Sequence, residues 1–92
     1  MGEQEAVISV TPQPTPNPNA LKFDVGVDVG GPKTYVAGAE VDDPAAQELL
    51  DLDGVTSVFM TADFVTISKT PDTDWATITP QATRILSERF ED

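Results

Sequence analysis

Residues 55–69 read VTSVFMTADFVTISK, and this stretch decides the fold. β-Branched and aromatic residues fill both of its halves, and the short tripeptide TAD at 61–63 separates them. Such residues favour extended backbone, whereas small polar residues favour turns. We therefore predict strands over residues 55–60 and 64–69, joined as an antiparallel hairpin.

The hairpin has two faces, because successive side chains of a strand point to opposite sides of the sheet. Phe59 and Met60 are neighbours, so one of them must point away from any helices that cover the sheet. If the second face is uncovered, its outward residues near Phe59 and Phe64 form an apolar patch for a partner protein.

Upstream, apolar residues occupy every odd position of residues 21–29, which predicts one half-buried strand with Gly26 at a bulge. A short strand is also expected over residues 6–10. A turn at Gly30-Gly31-Pro32 closes the strand over residues 21–29, and residues 34–37 are a candidate for a short further strand. The segment TPQPTPNPN carries prolines at the even positions 12, 14, 16 and 18. A Pro-x-x-Pro ligand needs prolines three apart, so we expect extended chain and a turn at Asn17-Pro18-Asn19.

Two helices complete the pattern. Asp43 and Pro44 provide a cap and a first helical residue, and Gly54 is placed to end this helix after the inward stripe of Ala45, Leu49 and Leu52. For the second helix we predict Thr79 as the cap, after a separate short turn over residues 75–78. A single kinked helix from Trp75 is the alternative. The buried stripe of the second helix is expected to be Ala82, Ile85, Leu86 and Phe90.

The predicted fold class is α+β. The element order is strand, strand, helix, strand, strand, helix, which suggests a two-layer sandwich of a mainly antiparallel sheet with both helices on one face. At 92 residues the chain is expected to form a single domain over 1–92, with residues 1–6 flexible.

Sixteen acidic against five basic residues give a net charge of -11, which disfavours binding to nucleic acid or to anionic membranes. Basic proteins and cations remain plausible partners, although solubility or salt adaptation would produce the same composition. The first ten residues lack the positive charges of a signal peptide, and no apolar run reaches transmembrane length. We therefore predict a cytoplasmic protein.

The chain contains no Cys and no His, which excludes disulfides, thiol catalysis and thiolate or imidazole metal sites. The acidic pairs at 42/43, 51/53 and 72/74 are placed to cap helices, and the DLDG segment at 51–54 lacks the spacing of a calcium loop. The serines have no His to activate them. We expect no catalytic residue, no metal and no cofactor, and therefore no enzyme. Lys22 and Lys69 are expected to neutralise nearby Asp residues, and Trp75 to plug the edge of the core.

Two segments together resemble a known family. TPNPNALKF at 15–23, and LLDLDGVTSVFMTADFVTISK at 49–69 followed by Asp74-Trp75, are similar to the N-terminal domain of Nfu/NifU-type iron–sulfur scaffold proteins. The resemblance covers nearly the whole chain from about residue 7. The resemblance implies that full-length relatives have a second domain, whose Cys-x-x-Cys pair bridges a cluster between subunits. Because this chain has no Cys, we expect it to be the stand-alone N-terminal domain, unable to hold a cluster itself.

The resemblance implies a role in contacting cluster-assembly scaffolds or client apoproteins. Our leading hypothesis is a non-catalytic interaction domain that is accessory to iron–sulfur cluster assembly or delivery. An acidic adaptor of an unrelated pathway that keeps only the fold, and a hydrolase that uses carboxylates alone, are the alternatives. The candidate contact residues, taken from the family-like positions and the hairpin, are Asn17, Asn19, Lys22, Phe23, Phe59, Asp63, Phe64 and Trp75. The oligomeric state is left open.

Overall fold

A computed structural model describes residues 10–90, except for the side chain of Phe90. Five strands and two helices follow in chain order: β1 Thr11–Pro14, β2 Ala20–Asp24, β3 Gly30–Val36, α1 Pro44–Leu50, β4 Val55–Ala62, β5 Phe64–Lys69 and α2 Trp75–Phe90. The α+β class is confirmed. Three strands precede α1 in the described chain, whereas the predicted element order counted two. The third, β3, contains most of the candidate further strand at residues 34–37.

The strands form one antiparallel sheet in the order β1-β2-β5-β4-β3. The predicted hairpin is confirmed, with Phe59 opposite Thr66 and Thr61 opposite Phe64. Its turn is tighter than predicted, because β4 continues through Ala62, which takes a left-handed φ of 52°. The hairpin occupies the middle of the sheet, so both of its strands have neighbours on each side.

One face of the sheet packs against both helices, and this contact forms the core. Along β4 and β5 the buried residues alternate, so that Val58, Met60, Val65 and Ile67 point towards the helices. Burial of such side chains contributes roughly 1.5–3 kcal/mol each. The two-layer arrangement is therefore confirmed. The helices add Ala45, Ala46, Leu49, Ile78, Ala82, Ile85 and Leu86 to this core.

The first helix begins as predicted. The Asp43 carboxylate accepts hydrogen bonds from the backbone N–H groups of Ala45 at 2.9 Å and Ala46 at 3.2 Å, and Pro44 is the first helical residue. The helix ends earlier than the stripe suggested, since Leu50 is its last residue. Leu52 still packs against the core from the turn that follows.

The second helix is one continuous element, so the prediction of Thr79 as its cap is wrong and the single-helix alternative is right in extent. Asp74 supplies the cap, because its carboxylate accepts a hydrogen bond from the backbone N–H of Ala76 at 2.9 Å. Pro80 lies inside the helix, where it cannot donate to the carbonyl one turn earlier. Its position is exposed, so water can satisfy that carbonyl.

The region before α1 differs most from the prediction. The strand predicted over residues 21–29 stops at Asp24, whose carboxylate accepts from the Gly26 N–H at 3.1 Å while Gly26 takes a φ of 75°. Gly30-Gly31-Pro32 is an irregular part of β3 with shifted register rather than a turn. Of the strand predicted over residues 6–10, all but Val10 lies outside the described residues, and residues 11–14 form β1 instead.

Gly54 has a backbone that a side chain would strain. Its φ is +90°, and an added Cβ would clash with the Thr73 side chain. We expect Gly54→Ala to lower the free energy of unfolding by about 2–4 kcal/mol, from the left-handed backbone and the overlap together. Gly38→Ala is the matched control, because Gly38 has a φ of +85° with open space around it and should lose only about 1–2 kcal/mol. Urea denaturation measures both losses, and equal losses would contradict the packing argument.

Tyr35 gives the fold a pH-dependent contribution. Burial raises the pKa of its hydroxyl, and the Asp42 carboxylate, which accepts from that hydroxyl at 3.2 Å, adds to the rise. A pKa raised in the folded state means stability that is complete below the unfolded pKa of about 10 and lost as pH rises through the folded value.

We therefore expect Tyr35→Phe to cost about 1 kcal/mol at neutral pH, where the hydroxyl hydrogen bond is lost. Above a pH of about 10 the difference between wild type and variant should shrink, because only the wild type has this tyrosine to ionise. Chemical denaturation at several pH values checks this expectation. A difference that stays constant through this range would contradict it.

Candidate functional site

The second face of the sheet carries no helix in the described structure, as both α1 and α2 pack on the other side. Phe59, Phe64 and Thr66 of the hairpin point to this open face, and Met60 points to the core. Lys22 of β2 lies opposite Thr66 and shares the face. We call Lys22, Phe59, Phe64 and Thr66 the open-face patch.

Contacts within the open-face patch hold its side chains in place. The Lys22 ammonium lies 4.5 Å from the centre of the Phe64 ring, which is a cation–π distance. The Phe64 and Phe59 rings are tilted by 55° with centroids 6.4 Å apart. The side chains of Lys22, Phe64 and Phe59 therefore form a diagonal stack across β2, β5 and β4. Each of them is half-buried, so the stack keeps surface that a partner can contact.

Two other candidates lie away from the open-face patch. Phe23 was predicted as a candidate contact residue. Its side chain is fully buried in the core and is therefore unavailable to a partner protein. Its position in β2 explains this, since it alternates with Lys22 and faces the helices. Asp63 is exposed at the hairpin tip, where its carbonyl accepts a hydrogen bond from the Val25 N–H at 3.0 Å.

The two asparagines stabilise the turn that was predicted for them. The Asn17 side chain accepts from the Asn19 N–H at 2.9 Å, and the Asn17 carbonyl accepts from the Ala20 N–H at 3.0 Å. The Thr15 hydroxyl also donates to the Asn17 carbonyl at 2.9 Å. This turn feeds the chain into β2, and both side chains are engaged within the molecule.

Trp75 and Lys69 fasten the same turn to the start of α2. The indole N–H of Trp75 donates to the Pro18 carbonyl at 2.9 Å, and the Lys69 ammonium donates to the Asn19 side chain at 3.3 Å. The ammonium also lies 5.5 Å from the centre of the indole ring. Trp75 is half-buried and packs on the core edge, in agreement with the predicted plug. We call Pro18, Asn19, Lys69 and Trp75 the turn lock.

The lysines do not act as the sequence suggested. Among residues 10–90 neither Lys22 nor Lys69 forms an ion pair with a carboxylate, and both instead place their ammonium groups over aromatic rings. Lys69 is only 8% exposed and satisfies its charge by donating to Asn19 and to the Thr70 carbonyl. Lysine is rarely buried without a charged partner, so the strand pattern alone could not predict that Lys69 is buried.

Sequence reasoning missed two residues of the open face. Thr66 sits between Lys22 and Phe59 in the register, and Val36 is 46% exposed on the neighbouring strand β3. The period-two pattern of β5 could have identified Thr66, because it lies two positions after Phe64. Val36 had no such signal, since the position of β3 at the sheet edge depends on long-range pairing.

Within residues 10–90 no group of three or more carboxylates is close enough together to hold a metal ion. A shallow pocket of about 360 Å³ lies beside the turn lock and is lined by Lys69, Trp75 and the loop between them. None of the helices in the described part has the length and apolarity needed to cross a membrane.

The sequence matches a known protein family. The family described as the scaffold protein Nfu/NifU N terminal matches residues 10–92. The chain belongs to the Nfu/NifU N-terminal family. The resemblance drawn from the two sequence segments is thereby confirmed.

Relatives and solved structures support the assignment. A NifU-like protein of Schizosaccharomyces pombe is 39% identical over 90% of this chain and 34% of its own length. The mitochondrial NFU1 iron-sulfur cluster scaffold homolog of Drosophila willistoni is 40% identical over 98% of this chain and 32% of its own. This Nfu/NifU N-terminal domain thus spans about a third of the length of these curated relatives.

The fold has been seen before in yeast. The solution structure of a NifU-like protein from Saccharomyces cerevisiae superposes with a TM-score of 0.77 at 26% identity, covering 96% of this chain and 82% of that one. A Staphylococcus aureus crystal structure gives a TM-score of 0.71 at 26% identity, covering 88% and 98% of the two chains.

The turn lock makes a prediction about stability. Trp75→Phe removes the N–H that donates to the Pro18 carbonyl, and we expect it to lower the free energy of unfolding by about 1 kcal/mol. Exchange of the Ala20 amide, which closes the turn, should become faster. Gln81→Ala is the control, because it removes an exposed side-chain bond of the same helix and should cost less than about 0.5 kcal/mol. Equal stability of the Trp75 variant and wild type would contradict the lock.

Proposed function

We propose that this domain is a non-catalytic protein-interaction module that serves iron–sulfur cluster assembly or delivery, and that it contacts scaffold or client proteins through its open-face patch. Family membership supports the pathway, because the family is named for scaffold proteins. The main support for contact through this surface is the stack of the Lys22 ammonium on the Phe64 ring and of that ring against the Phe59 ring. The stack lies on a sheet face that no helix covers in the described structure.

The chemistry of the chain also supports a contact role. With no Cys and no His, the domain offers neither thiolate nor imidazole to a cluster, so the metal centre must be held by another domain or protein. Aromatic side chains held by neighbours contribute large contact area at little entropic cost, and such residues dominate the binding energy of protein interfaces. The surrounding negative charge would steer basic partners towards the domain.

The location of the protein belongs to the same proposal. A cytoplasmic location remains our prediction from the sequence, while several relatives from Drosophila carry "mitochondrial" in their names. Fractionation of the source cells, with detection of the full-length product of the gene, would decide between these two compartments.

The open-face patch can be tested with a double variant. Phe59→Ser with Phe64→Ser removes both rings, and we expect binding to a purified iron–sulfur scaffold protein or a purified client apoprotein to weaken by at least about tenfold. Isothermal titration calorimetry measures the affinity, and thermal denaturation confirms that the variant is folded. Both rings are only half-buried, so the fold should survive their loss.

Arg84→Ser is the matched control, since Arg84 is exposed on α2 in the helical layer. Its affinity should stay within about twofold of wild type, because an exposed charge outside the contact area contributes little. An equal loss in this variant, or full binding by the double variant, would contradict the open-face patch. Failure of the wild type to bind any scaffold or client protein would refute the proposed function itself.

A further inference from the structure

The sheet has two edges, β1 and β3, and an exposed edge presents unpaired N–H and C=O groups to which another strand can add. The described residues show no further strand beyond either edge. The two edges differ in their chemistry, and the difference follows from which residues of each strand bond inward.

At the β1 edge, prolines remove the donors. The Val25 N–H donates to the Asp63 carbonyl at 3.0 Å, so the odd residues of β2 bond towards β5 and the even ones towards β1. Gln13, which lies opposite the even residue Lys22, therefore bonds inward. Pro12 and Pro14 alternate with it, so their nitrogens face outward and carry no hydrogen.

The even spacing of the prolines thus has a structural reason. It keeps every residue of β1 that must donate to β2 non-proline and puts proline where a donor would point to solvent. An incoming strand finds no N–H at Pro12 or Pro14, so this edge is blocked.

At the β3 edge, donors remain. The Ala37 N–H donates to the Thr56 carbonyl at 2.9 Å, and alternation makes Tyr35 an inward-bonding residue opposite Val58. The backbone groups of Thr34 and Val36 therefore point outward. The Val36 carbonyl accepts from the Ala39 N–H at 3.2 Å. Of the four outward groups of Thr34 and Val36, three therefore have no backbone partner within residues 10–90: the N–H and C=O of Thr34 and the N–H of Val36.

The side chains around this edge define what would fit. Val36, at 46% exposure, and Thr34 lie on the open face, with Phe59 directly opposite Thr34. An added strand would place alternate side chains beside them, where apolar groups gain contact. The other face carries Tyr35 and its acceptor Asp42.

Charge favours a base on that other face. The carboxylates of Asp42 and Asp43 and the ammonium of Lys33 all lie close enough to act on the Tyr35 hydroxyl. Asp43 is paired with Arg89 at 3.8 Å, so the exposed Asp42 is the carboxylate beside Tyr35 that a base would contact. The chain as a whole has a net charge of -11, so a second copy would be repelled while a basic segment would be attracted.

We propose that the outer edge of β3 is a strand-addition site for an extended segment of a partner protein, with apolar side chains beside Thr34 and Val36 and a basic side chain between them. The site lies next to the open-face patch but uses backbone bonds at the edge. If no strand adds at the β3 edge, the contact through the open-face patch, which the Phe59 and Phe64 variants test, can still hold.

A capped peptide of alternating valine and lysine, VKVKV, is the probe. In an NMR titration of the ¹⁵N-labelled domain we expect the largest shift changes at residues 33–37, with at least about tenfold slower hydrogen exchange of the Thr34 and Val36 amides at saturation. Shift changes confined to other regions, or unchanged exchange of these two amides, would overturn the proposal. Equal affinity for the peptide VEVEV would overturn the basic preference.

Val36→Pro removes one outward donor without touching the bonds to β4, and it should weaken peptide binding by about tenfold. Val36→Thr is the matched variant, which keeps the donor and the β-branched shape and should bind within about threefold of wild type. Equal binding by the two variants would refute the edge. If Val36→Pro does not fold, the amide exchange of the wild type still decides the question.

Discussion

The alternation of side chains along the central hairpin is the constraint on which the rest of the molecule depends. Because β4 and β5 have partners on both sides, their pleat fixes which residues every neighbour must meet. Val58, Met60, Val65 and Ile67 create the surface that α1 and α2 cover. The same pleat sends Phe59 and Phe64 to the opposite side. A shift of one residue in register would exchange these two sets, and it would bury two rings while exposing the core.

Local signals in the sequence were sufficient wherever the structure is decided by neighbours along the chain. The hairpin, the Asp43 cap and the alternation of burial from residue 22 to residue 29 all follow from short-range rules, and the structure contains them. The predictions failed where a distant or competing contact decides. At the start of α2 two local caps compete, Asp74 and Thr79, and the Asp74 cap is accompanied by the bond from the Trp75 indole N–H to the distant Pro18 carbonyl.

The candidate site shows the same division. Lys22 was proposed as a family-like position, and Phe59 and Phe64 as residues of the hairpin, and the structure brings the three into one stack. Two other family-like residues stabilise the fold instead: Phe23 packs in the core, and Trp75 belongs to the turn lock. A sequence motif marks both kinds of residue alike, because it cannot tell whether a side chain meets its own chain or another protein. Placement in the sheet makes that distinction.

The most direct test of the two-faced sheet is NMR cross-saturation from a bound partner. The deuterated, ¹⁵N-labelled domain would be mixed with an unlabelled iron–sulfur scaffold or client protein, and the partner's protons would be irradiated. The account predicts the greatest loss of signal at the amides of Lys22, Phe59, Phe64 and Thr66 on the open face. The greatest loss along α1 and α2, with the open face unaffected, would contradict it.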